Sequence, residues 1–169
     1  MSLRTVLFLG ALAFGPLVAG SAAAQDIGIP LGTVPAAADV QDTSGTTVSL
    51  ARHIGRRPVV VEFWATWCQT CAALLPRMEA AHGRYGSQVD FVVVGVGVNQ
   101  NLATIKRHMQ RHPSPFTYYF DRTGAAVRAF EAPATGVIFA LDARGRVVYA
   151  GAGEAQDVDA AVRRALSSS

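Results

Sequence analysis

Cysteine is scarce in this chain. There are two in 169 residues, at Cys68 and Cys71. Charge of either sign is thin as well. Only 16% of the residues are charged and half are apolar, which excludes a disordered chain and demands a packed core. The net charge is +3, but Arg52, Arg56, Arg57, Arg107, Arg111, Arg163 and Arg164 are scattered and build no basic run. No nucleic-acid footprint follows from them, and no nucleic-acid partner is expected. There is no internal repeat and no low-complexity tract. Past the first two dozen residues no apolar stretch approaches the roughly 20 residues that a membrane span needs. What remains is one domain of ordinary size.

The first two dozen residues are a separate object. Arg4 precedes an apolar run from Val6 to Ala19, and Ser21, Ala22, Ala23 and Ala24 follow. This is the form of a secretory signal with a small-residue cleavage site. Residues 1–24 are therefore expected to be a signal peptide, residues 25–35 a leader or linker, and residues 36–169 the folded domain. Export to the periplasm is the expected location, in preference to a membrane anchor. Outside the cytosol a cysteine pair can be oxidised and remain so.

The mature chain alternates in period. Asp42-Thr43-Ser44-Gly45 is a turn signal before Thr46–Leu50, which predicts a short hairpin. Ser49 is placed to cap a short helix through His53. Val59 to Phe63 is a continuous β-branched and apolar run, the mark of a buried central strand. From Thr70 to about Tyr85 the apolar residues Leu74, Leu75, Met78, Ala81 and Tyr85 recur at helical spacing, and Pro76 should kink that helix. Val89–Val98 predicts a second buried strand. Asn99 or Asn101 can cap a helix whose apolar face is Leu102, Ile105 and Met109. Phe116–Phe120, a brief helix through Phe130, a hairpin around Asp142–Gly145 and a last helix capped by Asp157 complete the chain. The order β-α-β-α-β-α-β-β-α is that of an α/β protein with a central mixed β-sheet flanked by helices.

Both cysteines fall at the junction of the central strand and the first long helix, within Glu62-Phe-Trp-Ala-Thr-Trp-Cys-Gln-Thr-Cys71. Three readings are open. A structural staple would close only two intervening residues, where the entropic gain is least. A closed zinc site needs four ligands, and there is no second cysteine pair. A redox couple fits the position. The first thiol would sit at a helix N-terminus, where unpaired N–H groups favour its thiolate. The second would lie one turn further in, within reach of a mixed disulfide. Cys68 then reads as the exposed nucleophile and Cys71 as the shielded resolving thiol. Gln69 and Thr70, between them, sit where N–H groups meet the sulfur and would tune the couple.

VVVEFWATWCQTCAALLP resembles the active-site region of the thioredoxin superfamily. The wider pattern is similar to the exported thiol-disulfide oxidoreductases of the TlpA/ResA type, including a proline, Pro76, five residues past the second cysteine. The resemblance implies a thioredoxin-like fold and protein-disulfide oxidoreductase activity. It implies no cofactor beyond a redox-active Cys68–Cys71 disulfide, and a monomer. Cys68 would attack, Cys71 would resolve and Trp67 would cover the disulfide. Glu62 would be the buried acid beneath the second cysteine. An acid in an apolar strand has a raised pKa and can take the proton of Cys71. The expected partners are protein disulfides in the cell envelope, as in cytochrome c or copper-site maturation, and a membrane thiol reductase that recharges the pair. The alternative is a module that holds Cu(I) or zinc on the same two thiolates.

One departure from the resemblance stands out. The family's cis-proline facing the disulfide falls here on Gly136, after Thr135, and Pro133 comes three residues too early. A non-proline cis bond costs about 2.5–4 kcal/mol, so Thr135–Gly136 is expected trans, with Gly136 letting a partner backbone approach closely. Among the remaining candidates, His82 is expected on the surface. His108 and His112 share a helix face at i, i+4, which suggests a metal pair or, in preference, a solvated face. Met78 and Met109 read as core.

Overall fold

Six consecutive buried side chains, Val59 to Trp64, form strand β3 (Val59–Trp64). Such a run needs cover on both faces and a partner on each edge. The computed structural model, which describes residues 27–168, supplies all of these. β3 lies between β4 (Asp90–Val96), parallel to it, and β6 (Val137–Leu141), antiparallel to it. β5 (Thr117–Asp121) continues the parallel part. The hairpin of β1 (Asp39–Gln41) and β2 (Thr47–Ser49) adds an antiparallel edge beyond β5, and β7 (Val147–Ala152) closes the other side. The seven strands run in the order β2-β1-β5-β4-β3-β6-β7.

Among the described residues, four helices cover this mixed sheet: α1 (Gln69–Tyr85), α2 (Leu102–Arg111), α3 (Ala125–Phe130) and α4 (Val158–Ser167). Their starts follow side-chain chemistry. Asn101 accepts the N–H of Thr104, and Asp157 accepts that of Ala160. Ser49 accepts the N–H of Ala51 at the head of a 3-10 turn, Leu50–His53. α1 is continuous through Pro76. α4 packs against α1, joined by an Arg84–Asp159 ion pair at 2.6 Å.

Side chains alternate across β3. Glu62 and Trp64 point to one face, where they meet residues of α1 and α2. Phe63 points to the other and packs edge-on against Phe130 and Phe139, with ring centroids 5.4 and 5.9 Å away. Edge-to-face contacts of this kind add to the burial of the rings themselves.

The signal segment expected over residues 1–24 lies outside the described residues, as do residues 25 and 26 and Ser169. The remainder of the leader is tied to the domain. The N–H of Ile29 donates to the Phe130 carbonyl at 3.1 Å, and Gly32 and Thr33 exchange hydrogen bonds with Val147. Ile29 is buried. No helix among the described residues is long and apolar enough to cross a membrane. Phe63, Phe130 and Phe139 pack as a mutual triad, and Phe63→Ala should cost about 3–5 kcal/mol, read as a lower midpoint in equilibrium urea unfolding at an unchanged slope.

Candidate active site

The site begins where β3 stops being a strand. The N–H of Cys68 closes a turn onto the Ala65 carbonyl at 3.0 Å. Cys68 keeps an extended backbone and is the N-cap of α1, its sulfur accepting the N–H of Cys71 at 3.1 Å. The two sulfurs are bonded, with the Cα atoms 5.3 Å apart, within the ordinary span of a disulfide. The expected difference in access is present, in a narrower form than an open nucleophile. Cys68 is 8% exposed and Cys71 1%, so an incoming group meets an edge of the Cys68 sulfur first. Once the bond opens, the helix terminus favours negative charge on that same sulfur. Gln69 is exposed on the first turn of α1, and Thr70 is half-buried.

Glu62 is 3% exposed. It lines a cavity of about 240 Å³ together with Trp64, Cys68, Cys71, His108, His112 and Tyr118. Its Oε1 has no hydrogen-bond partner among the described residues. Burial pushes its carboxyl from 4.5 up to about 8, because an apolar setting penalises the charged form. The sheet places this acid at the level of the cysteines because β3 runs directly into the turn that holds them.

Gly136 enters from the start of β6. The Thr135–Gly136 bond is trans, and no described residue has a cis peptide. Gly136 has φ +72°, the left-handed region that favours glycine. A Cβ built there would lie 2.6 Å from Thr70 Cγ2 and 3.9 Å from Cys68 Sγ. Its N–H donates to the Phe63 carbonyl at 2.8 Å, and its carbonyl accepts from Gly153 N–H at 3.1 Å and from Gln156 Nε2 at 2.9 Å.

Trp67 stands on the surface beside the turn, 48% exposed, its indole N–H held by the Val98 carbonyl at 2.9 Å. With Val98, Pro133, Ala134 and Thr135 it walls a shallow groove of about 200 Å³. Pro133 therefore belongs to the site's rim even though it is not the residue at the disulfide. Pro76 is not brought to the site. It is exposed and lines a different groove, between α1 and the start of α4.

Two expectations about histidines are modified. His108 and His112 share a face that is only partly solvated, His108 half-buried and His112 exposed. Both line the disulfide cavity, His108 edge-on to Trp64 at 5.0 Å and 4.6 Å from the ring of His112. The signal was present: His108 and His112 follow Ile105 at i+3 and i+7, so they continue its stripe from buried Ile105 out to exposed His112. His82 is half-buried and packs edge-on against Phe91 and Phe116. Two glutamines went unnoticed in the sequence. Gln100 accepts the Thr66 N–H and donates to the Val96 carbonyl, bracing the turn, and Gln156 braces Gly136. Nothing in their local sequence marks contacts so distant along the chain. Among the described residues, no three His, Cys, Asp or Glu side chains form a group able to hold a metal ion.

The Redoxin family matches residues 29–166, most of the chain. The chain belongs to the Redoxin family. Its sheet and helices are the thioredoxin-like fold. The thioredoxin domain of a thiol-disulfide oxidoreductase from Bacteroides vulgatus superposes with a TM-score of 0.69 at 18% identity, covering 80% of this chain and 97% of that one. The thiol:disulfide interchange protein TxlA homolog of Synechocystis sp. is 35% identical over 71 residues, 42% of this chain and 39% of that protein. The thiol-disulfide oxidoreductase ResA of Geobacillus thermodenitrificans is 24% identical over 147 residues, 86% of this chain and 83% of that protein. Against the first relatives the chain spans less than two thirds of their length, from 39% to 60%.

Burial of Glu62 makes the stability of this Redoxin domain depend on pH. Between 4.5 and about 8 the folded protein keeps a proton that the unfolded chain has released. Stability therefore falls as pH rises through that window. Glu62→Gln removes the dependence. The stability difference between the oxidised variant and oxidised wild type should grow by on the order of 4 kcal/mol from pH 4.5 to pH 8, measured by chemical denaturation at each pH. A pH-independent difference would mean that Glu62 titrates normally.

Proposed function

We propose that the protein is an exported thiol-disulfide oxidoreductase that reduces disulfides of envelope proteins. The observation that carries this reading is the Cys68–Cys71 disulfide at the head of α1, with unequal exposure of its two sulfurs. The names of the relatives, an interchange protein and a ResA oxidoreductase, support it. In the reduced protein the Cys68 thiolate attacks one sulfur of a substrate disulfide. One substrate thiolate leaves and a mixed disulfide forms. Glu62 takes the proton of Cys71, whose thiolate attacks Cys68 Sγ and expels the second substrate thiolate. Two electrons pass to the substrate and the Cys68–Cys71 bond is restored. The groove beside Trp67 and Thr135 receives the substrate strand, next to Gln69 and Thr70. A membrane thiol reductase returns the electrons. Apocytochromes and copper-site proteins are the substrate class that fits an exported reductant, and the signal segment expected over residues 1–24 supports a periplasmic location.

Equilibration of the purified domain in graded dithiothreitol buffers tests the direction of electron flow. The reading expects a midpoint near the ~−270 mV of thioredoxin, and a midpoint near the ~−120 mV of DsbA would make the protein an oxidant instead. The roles of the two thiols are tested separately. In the reduced protein at neutral pH, iodoacetamide should label Cys68 far faster than Cys71, read by peptide mass spectrometry. Equal and slow labelling of both would remove the assignment.

A further inference from the structure

The disulfide cavity contains more acid–base groups than the sulfur chemistry above uses. Glu62 lies at its floor on β3. Near neutral pH most molecules carry a proton on this carboxyl, since burial lifts it to about 8. A protonated Glu62 cannot take the proton of Cys71. In a mixed disulfide that has both Glu62 and Cys71 protonated, one proton has to leave a buried site before Cys71 can attack.

The cavity provides a graded way out. Glu62 is buried, His108 is half-buried and His112 is exposed, and all three line the same space. The rings of His108 and His112 are 4.6 Å apart. A space of about 240 Å³ has room for several waters, and the unpartnered Glu62 Oε1 would be served by one of them. The His108 ring makes only ring contacts, to Trp64 and His112, and its side chain makes no hydrogen bond among the described residues, which leaves its ring nitrogens open to that water. The other titratable groups at the cavity are Cys68 at the N-cap of α1, Cys71 on α1 and Tyr118 on β5, whose hydroxyl pairs with Ser114 at 2.7 Å. Arg111 adds positive charge near His108 from the same helix.

We propose that His108, with His112 at the mouth, is the relay that exchanges the Glu62 proton with solvent. The inference rests on the assignment of Glu62 as the base for Cys71. Neutral His108 accepts the Glu62 proton through cavity water, leaving the carboxylate and an imidazolium. The imidazolium passes its proton to bulk water, directly or by way of His112. The carboxylate then takes the Cys71 proton as its sulfur bonds to Cys68. No electrons move in the relay. Burial, with His112 and Arg111 nearby, holds His108 below its ordinary 6.5, so at neutral pH it is an empty carrier that does not retain the proton.

The test uses reduced protein and 5,5′-dithiobis(2-nitrobenzoate) under rapid mixing. The first thionitrobenzoate released reports attack by Cys68, and the second reports resolution by Cys71. At pH 7, His108→Ala should lower the ratio of the second rate to the first by on the order of 10- to 100-fold, at or below the low end of what a positioned acid or base contributes. Added imidazole, which fits the space vacated, should restore the ratio with a saturable dependence. His108→Gln keeps a polar side chain against Trp64 and should show the same slow second phase, which guards against simple loss of fold. An unchanged ratio in both variants overturns the relay, as does a slow phase that imidazole does not restore. Glu62→Gln separates the two levels of the argument. If it leaves the second phase untouched, the base assignment itself falls. If it slows that phase while the His108 variants do not, only the relay falls.

Discussion

The geometry of the redox end depends on one local event, the capping of α1 by a cysteine. A helix start leaves several N–H groups without intrahelical partners, and serine, threonine or aspartate usually supplies the oxygen that accepts one. Here the Cys68 sulfur accepts from Cys71 N–H. Neutral sulfur is a weak acceptor, so the cap is poor while the disulfide is closed. It improves when the sulfur becomes an anion. The helix thus prefers the state in which Cys68 is a thiolate. Because the cap sits at the end of a strand hydrogen-bonded on both sides, the turn cannot slide to find a better one. The rigidity of β3 turns a weak cap into a reactive sulfur.

The same strand fixes the approach to that sulfur. Gly136 takes the place where the resemblance expects a cis-proline, and it does so with a trans bond and a positive φ. Both of its backbone polar groups are used within the domain, the N–H by Phe63 and the carbonyl by Gly153 and Gln156. A proline would present no N–H at this point. The glycine presents none either, because Phe63 already holds it. The two routes leave the disulfide facing a stretch of backbone that does not compete for hydrogen bonds. Ala134 and Thr135, just before it, make no hydrogen bond among the described residues, so the free backbone positions lie on the Trp67 side of the sulfur.

Most elements were readable because their signals are local. The buried run of β3, the caps Ser49, Asn101 and Asp157, and the turn at Asp142–Gly145 each depend on residues within a few positions of one another. Glu62 was readable for a similar reason, as an acid inside an unbroken apolar strand. What escaped were relations set by the placement of one element on another. The i, i+4 spacing of His108 and His112 is visible in the sequence, but whether that face meets water or the cysteines is decided by where α2 lies over β3. Residues 27–35 have no periodicity, yet they bind along Phe130 and Val147. Gln100 and Gln156 brace loops more than 15 residues away, and nothing beside them in the chain announces it. Pro76 shows the converse: a motif match located it correctly in α1, and the fold points it away from the disulfide.

Glu62 and Cys71 together set how many charges the cavity can hold. Opening the disulfide leaves a sulfur anion at Cys68, which the helix terminus accommodates, and a second sulfur at Cys71 that has no such support and almost no exposure. A buried anion without a partner is costly enough that such groups take up a proton instead. In the oxidised protein burial keeps a proton on Glu62, which lines the same cavity as Cys71. Transfer to Cys71 removes the anion from sulfur but creates one on the carboxylate, in the same unpartnered setting. One negative charge therefore remains in the cavity unless a second proton arrives from outside. Electron transfer at this disulfide is thereby coupled to proton entry and exit, and the rate at which the cavity exchanges protons becomes a property of the catalyst as much as the potential of its sulfurs.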